Sequence, residues 1–308
     1  MNMKIKGIHY GLTLLYSYLL PFFDIRETRY GFEFVKRYGS LPGIKCQFNE
    51  DDLLTQCEIP PNIGIGTEVL NDALGLSMKK PFEQLCYMAD LYEGECLANQ
   101  LTLMFNPLDA RDVLKVIVLS RNTDYYYNTV RWARQIFSGK MSPEDFSSYI
   151  PKTLSHLNGN LDRLSFNAPT PRLIRGLLSI ESIGPKTVSA LLLHGYGKTR
   201  YAPIDRHFEK MLSNLLKVRQ PSKKYCIENS LRCEKCSISA KCKYGVSLKL
   251  FGEYNGIIQS MSYVAARLKT RRSPLEKTLV KNVKDFKSID RFLSILVKKF
   301  TGRACERD

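Results

Sequence analysis

Short segments of alternating apolar and polar residues occur in the first third of the chain. Residues 30–35 and 44–48 alternate in this way, with Gly39, Pro42 and Gly43 between them. A period of two predicts β-strands with one buried face, and glycine and proline between two such runs predict a turn. Residues 81–91 instead read as a helix. The first 108 residues are therefore predicted to form an α+β region.

Beyond residue 108, apolar residues recur at helical spacing. They do so in three separate stretches: Val113, Val116 and Ile117; Val130, Ala133 and Phe137; Leu173, Leu177 and Ile180. Asp109 precedes the first stretch and is a candidate N-cap. Residues 247–308 are helical in pattern and basic. The pattern as a whole predicts a mainly α protein with an N-terminal α+β extension and a basic helical C-terminal tail.

Charge separates the same two parts of the chain. The 308 residues carry a formal net charge of +16. Residues 1–110 hold 9 basic and 14 acidic side chains, whereas residues 111–308 hold 37 and 16. A soluble fold does not need such an asymmetry, and a polyanionic partner is its usual physical reason.

The most apolar run, Gly11 to Phe23, resembles a signal peptide only weakly. It is too short to span a bilayer, contains Thr13 and Ser17, and is not followed by a small-residue cleavage site. We therefore expect a buried helix here and no association with a membrane.

Four of the nine cysteines fall within 17 residues, and the others are scattered. The clustered cysteines are Cys226, Cys233, Cys236 and Cys242. Such clustering is typical of a metal or iron–sulfur site in a reducing compartment rather than of disulfides. Four thiolates suit either Zn²⁺ or a [4Fe-4S] cluster. We expect an intracellular protein of the cytoplasm or nucleoid, or of the nucleus in a eukaryote.

Residues 172–194 predict two helices joined by a tight turn. The turn is Ser182, Ile183 and Gly184, and the second helix begins at Pro185, a residue suited to a first helical position. Backbone N–H groups at such a helix start form a phosphate-binding site that ignores base sequence. An ordinary corner of a helical bundle has the same pattern, and on this segment alone it is the more common explanation.

Lys186 and Asp205 are the two candidate catalytic residues. Lys186 lies at the start of the second hairpin helix, and Asp205 opens a later helix in the sequence Ile-Asp-Arg-His207. Taken singly, Asp205 is explained as an N-cap and Lys186 as a solvated surface lysine.

The order of these features resembles the endonuclease III family of helix-hairpin-helix DNA glycosylases. Hairpin, lysine, aspartate and a cysteine loop of spacing x6, x2 and x5 follow one another within residues 112–245. The resemblance implies two helical lobes with a cleft between them, and it favours the [4Fe-4S] cluster over zinc. The chain departs from the family pattern at Glu181 and Ser182, where Pro-Gly is usual. Its extra N-terminal region is similar to the 8-oxoguanine glycosylase branch.

The resemblance also implies roles for individual residues. Lys186 would form a Schiff base with the sugar, and Asp205 would stabilise its developing positive charge. The DNA-binding residues would be the hairpin residues Ser182, Ile183 and Gly184, a wedge residue that is Arg121 or Asn122, and His207 on a phosphate. Double-stranded DNA with damaged bases or abasic sites is the implied partner, and the protein is expected to be a monomer.

The predicted activity is that of a bifunctional DNA glycosylase and AP lyase acting on an oxidised base, with pyrimidines as the first candidates. 8-Oxoguanine and mismatched thymine or uracil remain alternatives, as does a non-catalytic protein that binds damaged DNA. The predicted regions are the extension at 1–108, a lobe with the hairpin at 109–202, a second lobe with the cysteine loop at 203–246, and the tail at 247–308.

Overall fold

A computed structural model describes residues 1–61, 64, 66–89, 96–213, 218–270, 272–281, 283 and 287–305. The fold is mainly helical with one small antiparallel sheet, as predicted. The sheet has the order β1-β5-β4-β3-β2, and its strands are β1 (Asn2–Lys6), β2 (Phe23–Thr28), β3 (Gly31–Lys36), β4 (Lys45–Asn49) and β5 (Leu54–Glu58). The alternation at 30–35 and 44–48 thus corresponds to β3 and β4.

Fourteen helices occur in the described part of the chain. They are α1 (Tyr10–Leu15), α2 (Thr67–Ala73), α3 (Lys79–Met88), α4 (Ala110–Leu119), α5 (Val130–Phe137), α6 (Tyr149–Leu161), α7 (Thr170–Ser179), α8 (Pro185–Tyr196), α9 (Arg206–Ser213), α10 (Lys223–Glu228), α11 (Lys243–Phe251), α12 (Asn255–Leu268), α13 (Pro274–Leu279) and α14 (Lys287–Cys305). The helix predicted at 81–91 is α3, and residues 90 and 91 lie outside the described residues.

One hydrophobic core connects the sheet, the central helices and the C-terminal tail. Alternate residues of β3 and β4, such as Phe34 and Phe48, face Tyr10 of α1. The basic tail also contributes, because Phe292 and Leu296 of α14 are buried in the same core. The tail helix is therefore amphipathic, with an apolar face that packs against α11 and α12.

The apolar run from Gly11 to Phe23 is buried as expected, but it is not one helix. Helix α1 ends at Leu15, and a 3₁₀ turn over Leu20–Phe22 leads into β2. Pro21, which lacks the N–H that an α-helix interior requires, lies within this turn. No helix in the described ranges is long and apolar enough to cross a membrane.

The expectation that cysteines outside the cluster are unpaired is wrong for four of them. Cys46 is bonded to Cys57, and Cys86 is bonded to Cys96. Cys46 and Cys57 are direct cross-strand partners in the register of β4 and β5. Residues 11 positions apart become neighbours only through this strand pairing, which the sequence spacing does not show.

Asp109 is not the side-chain cap that its position suggests. Asn106 accepts the backbone N–H of Leu108 instead. The Asp109 carboxylate forms an ion pair with Lys36 of β3 at 2.6 Å, and both side chains are only 1% exposed. Asn106 Nδ2 donates to the same carboxylate at 2.9 Å. Burial lowers the pKa of Lys36, and the charge of Asp109 opposes that shift. The pair joins the sheet to the start of α4.

Breaking this ion pair is expected to destabilise the protein strongly. Asp109→Ala leaves the Lys36 ammonium buried without its counter-ion, which costs about 3–5 kcal/mol. The exposed pair of Arg37 and Asp24 provides a control, because Asp24→Ala should change stability by about 1 kcal/mol or less. Urea unfolding measures both variants. Equal losses of stability in the two variants would contradict the role of Lys36–Asp109 as the joint between the two regions.

Candidate active site

A cleft of about 600 Å³ opens between the helices and contains both predicted catalytic residues. Five chain segments line it, each contributing two or more side chains: 15–18, 120–125, Lys186 and His194 of α8, 203–207 and 259–267. Segments that are far apart in the sequence thus meet at one cavity. Its volume is within the usual range of small-molecule sites.

Asp205 is held at both carboxylate oxygens. Its Oδ1 accepts the backbone N–H groups of His207 at 2.9 Å and Phe208 at 2.8 Å. Its Oδ2 accepts a hydrogen bond from Nε2 of Gln259 at 2.7 Å. The two backbone contacts are those of an N-cap at the start of α9. Asp205 is therefore a helix cap and, at the same time, a fixed negative charge on the cleft wall.

Lys186 is the second residue of α8 and is exposed to the cleft. It follows Pro185, whose fixed backbone angle suits the first helical position. Its ammonium and the Asp205 carboxylate both act electrostatically on the side chain of His207. The structure therefore brings the predicted lysine and aspartate to the same cavity.

His207 lies beside this pair and is about half-buried. Its ring contacts the edge of Tyr263 with centroids 5.9 Å apart. Burial is the largest cause that lowers the pKa of His207, with the nearby cations Arg206, Arg267 and Lys186 adding to it, whereas Asp205 raises it. The surroundings of His207 thus favour the neutral imidazole relative to a free histidine.

The two candidate wedge residues occupy different environments in the turn after α4. Arg121 is partly buried and donates from Nη2 to Oγ1 of Thr187 at 3.1 Å, so its guanidinium is directed toward α8. Asn122 is exposed, lines the cleft and has a φ of 49°. This left-handed conformation suits asparagine and projects the residue from the turn.

Helices α7 and α8 form the predicted hairpin around residues 180–184. Ile183 is buried and its N–H donates to the carbonyl of Ile180 at 3.0 Å, whereas Ser182 is exposed. Gly184 has a φ of −106°, which any residue adopts. A Cβ built on Gly184 would meet no atom within 4 Å. Glycine is therefore not required at this position by backbone strain or by packing within the protein. The space beside Gly184 is open to a partner.

Two polar residues of the cleft escaped the sequence analysis. His194 of α8 is 2% exposed, and burial lowers its pKa to about 3. Among the described residues, its Nδ1 has no hydrogen-bond partner, and its ring packs edge-on against Tyr18 at 5.0 Å. The buried Oε1 of Gln259 likewise has no partner in the part of the chain that the structure describes. His194 lies two helical turns from Lys186, a spacing that could have indicated it, but Gln259 has no such sequence signal.

The four clustered cysteines line one small cavity between α10 and α11. None of them forms a disulfide. Burial, followed by the neighbouring thiols, raises the pKa of Cys226 and of Cys233 to about 12. Within the described ranges, no three His, Cys, Asp or Glu side chains form a group that could hold a metal ion.

Close packing of α11 against the cysteine loop depends on one glycine. A Cβ on Gly245 would collide with the backbone of Ser239. The absence of a side chain at Gly245 therefore lets the loop lie directly on α11, three residues after Cys242. This position is a requirement of the loop that the cysteine spacing did not reveal.

Comparison with solved structures identifies the fold. The 8-oxoguanine glycosylase/lyase of Clostridium acetobutylicum, in complex with double-stranded DNA containing cytosine opposite 8-oxoguanine, is 12% identical, with a TM-score of 0.54 over 87% of this chain and 98% of that one. MBOgg1 in complex with a low-affinity DNA ligand is 13% identical, with a TM-score of 0.56 over 87% and 96%. The chain has the helix-hairpin-helix DNA glycosylase fold.

The helix-hairpin-helix glycosylase fold extends into the N-terminal region. The apo form of the Clostridium enzyme matches 85% of this chain and 95% of its own, with 11% identity and a TM-score of 0.54. Since these matches leave at most 15% of the chain uncovered, they include part of the first 108 residues. No family model matches the sequence. No curated protein matches it either.

Proposed function

We propose that this protein is a bifunctional DNA glycosylase and AP lyase that removes an oxidised base. The observation that carries the proposal is the presence of Lys186 and Asp205 in one cleft of a helix-hairpin-helix glycosylase fold. An amine and a fixed carboxylate are the two groups that this chemistry needs. The similar structures include glycosylase/lyases in complex with DNA, which supports the same class of activity here.

The reaction requires the target nucleotide to leave the duplex, because its sugar carbon is inaccessible in the stack. In the cleft, Nζ of Lys186 attacks as the neutral amine and forms a bond to C1′ while the bond from C1′ to the base breaks. The base departs with the electron pair and takes up the proton that Nζ loses. The bond from C1′ to O4′ then breaks, O4′ takes up the second Nζ proton, and a Schiff base forms between C1′ and Nζ. Removal of a C2′ proton then expels the 3′ phosphate and nicks the strand.

Asp205 contributes its charge rather than a new bond. Positive charge develops on the sugar as the base leaves, and a carboxylate held in advance stabilises it without reorganisation. The N-terminus of α9 and Gln259 fix the orientation of this carboxylate. The cap therefore also serves the chemistry, because hydrogen bonds from two elements hold the Asp205 carboxylate in one orientation.

An oxidised purine is the lesion that we propose, in place of the pyrimidine favoured by the sequence. The Clostridium enzyme with this fold is an 8-oxoguanine glycosylase/lyase. The cleft volume can hold a nucleoside. Its wall carries the unpartnered Nδ1 of His194 and Oε1 of Gln259. Buried polar atoms without partners are rare in folded proteins, and a flipped base could supply the missing hydrogen bonds.

We also propose that the cysteine loop holds a [4Fe-4S] cluster. Four thiols line a single cavity and are the donor set that such a cluster takes, although in the described residues no three of them converge on one metal position. Binding of a cluster would therefore bring these side chains together. Cys226, Cys233, Cys236 and Cys242 would be its ligands. When bound, the cluster would stabilise the loop, and the proposed reaction at Lys186 does not pass through it.

Trapping with borohydride tests the proposed reaction. Reduction of the Schiff base should link the wild-type protein covalently to a duplex with an abasic site, and Lys186→Ala should form no adduct. Lys198→Ala alters an exposed lysine at the far end of α8 and should trap like wild type. Asp205→Asn should slow base excision about 10²–10³-fold. Tight binding of abasic DNA with neither adduct nor nicking would instead indicate a non-catalytic damage-binding protein.

The variant His194→Leu should excise the damaged base more slowly while it retains cleavage of the strand at an abasic site. His194→Leu is expected to slow excision of 8-oxoguanine about 10-fold, because one hydrogen bond in a buried site is lost. Cleavage at a preformed abasic site, which has no base to recognise, should stay within about twofold of wild type. The exposed His156 supplies the control variant His156→Leu. An equal loss of both activities in His194→Leu would show that this residue supports the fold rather than the base.

Iron analysis and visible absorbance test the cluster. Protein isolated or reconstituted without oxygen should contain about four iron atoms per chain and absorb visible light. The double variant Cys233→Ser, Cys236→Ser should lose both, whereas Ser222→Ala, which alters a hydroxyl of the same cavity, should retain them. Stoichiometric zinc without visible absorbance would contradict the cluster.

A further inference from the structure

Lys223, the first residue of α10, extends from the cysteine loop to the hairpin. Its Nζ donates to the carbonyl of Ile180 at 2.7 Å and to that of Glu181 at 3.1 Å. These carbonyls follow the C-terminus of α7, where the helix dipole is negative, and that of Ile180 also accepts the N–H of Ile183. The ammonium therefore neutralises the negative end of α7 at the turn.

The same turn contains Ser182, Ile183 and Gly184, the hairpin residues that the family resemblance implies bind DNA. Ser182 is exposed, and the position of a Cβ on Gly184 is open. Glu181 is exposed as well, and its carboxylate would repel a phosphate approaching the turn. Lys223 supplies positive charge next to this residue. A lysine ammonium has three N–H donors, and in the described part of the chain two of them have acceptors.

We propose that Lys223 is a DNA-phosphate contact of the hairpin, supplied by the cysteine loop; the proposal rests on the proposed DNA-binding function. The ammonium is anchored by two carbonyls of the turn, so it is oriented before DNA arrives. Its third N–H and its charge bind the sugar-phosphate backbone independently of base sequence.

The proposal accounts for the departure of this hairpin from the family pattern. Glu181 and Ser182 stand where Pro-Gly is usual, which replaces an uncharged pair by a pair that includes an acidic side chain. A mobile lysine would lose rotamer entropy on reaching a phosphate, whereas the two hydrogen bonds have already restricted Lys223. A tethered cation of this kind offsets the charge of Glu181 where the backbone of the turn is exposed.

The next residue on the same helix provides a matched control. Lys224 is exposed and has the same formal charge, but no hydrogen bond between it and the hairpin is present. Lys223→Met and Lys224→Met therefore remove one charge each from adjacent positions. Lys223→Arg retains the charge and the ability to donate.

Binding of an undamaged duplex, measured by fluorescence anisotropy over a range of KCl concentrations, tests the proposal without requiring catalysis. For Lys223→Met, the slope of log Kobs against log salt should be smaller in magnitude by about 1. Its affinity near 0.1 M salt should fall about 5- to 10-fold. Lys223→Arg should stay close to wild type, and Lys224→Met should lose less than Lys223→Met. Thermal unfolding of each variant is measured in parallel.

Several results would overturn the proposal. An unchanged slope in Lys223→Met, with or without a lower melting temperature, would show that Lys223 only stabilises the turn. Equal losses in Lys223→Met and Lys224→Met would show a general charge effect. If the wild-type protein did not bind duplex DNA at all, the proposed function itself would fail, which is distinguishable from failure of the Lys223 contact alone.

Discussion

The carboxylate of Asp205 is the point at which the separate parts of the cleft are joined. One oxygen caps α9, and the other accepts Gln259 of α12. Lys186 of α8 lines the same cavity. Three helices thus place their functional groups relative to one side chain, and a change in the position of any of them would alter the distance between amine, carboxylate and substrate. A constellation that supports chemistry needs this kind of fixed geometry.

The N-terminal region completes the cleft rather than standing apart from it. The hydroxyls of Tyr125 and Tyr126, in the turn after α4, donate to the backbone carbonyls of Ser17 and Leu15. The segment between α1 and β2 consequently forms one wall of the cavity. The buried pair of Lys36 and Asp109 holds the sheet against the start of α4. The acidic first third is therefore part of the candidate site, whereas the excess positive charge lies in the rest of the chain.

Features encoded in local spacing could be predicted from the sequence. The hairpin, Lys186 and the cysteine loop each occupy a short window, and helix and turn chemistry give such windows recognisable patterns. The cap role of Asp205 was predictable because an acidic residue before a helical run is a common cap, whereas its catalytic role followed only from the family resemblance. Periodicity predicted a mainly helical protein, but the helix-hairpin-helix glycosylase fold followed from the resemblance.

Contacts between distant segments could not be predicted in this way. Cys46 and Cys57 meet through strand register, and Asp109 meets Lys36 across 73 positions. Gln259 reaches Asp205 from a helix 54 positions later, and Lys223 reaches Ile180 across 43. Each of these pairs depends on tertiary packing, for which a single sequence carries no periodic signal. Most residues that hold the side chains of the candidate site in position depend on such contacts between distant segments.

The claim that Lys186 attacks the sugar beside Asp205 can be tested at the level of the bond itself. The wild-type protein is incubated with an 8-oxoguanine duplex and borohydride, the adduct is digested, and the modified peptide is sequenced by mass spectrometry. The reduced sugar is expected to be attached to Nζ of Lys186. Attachment to another lysine or to the amino group of Met1 would contradict it.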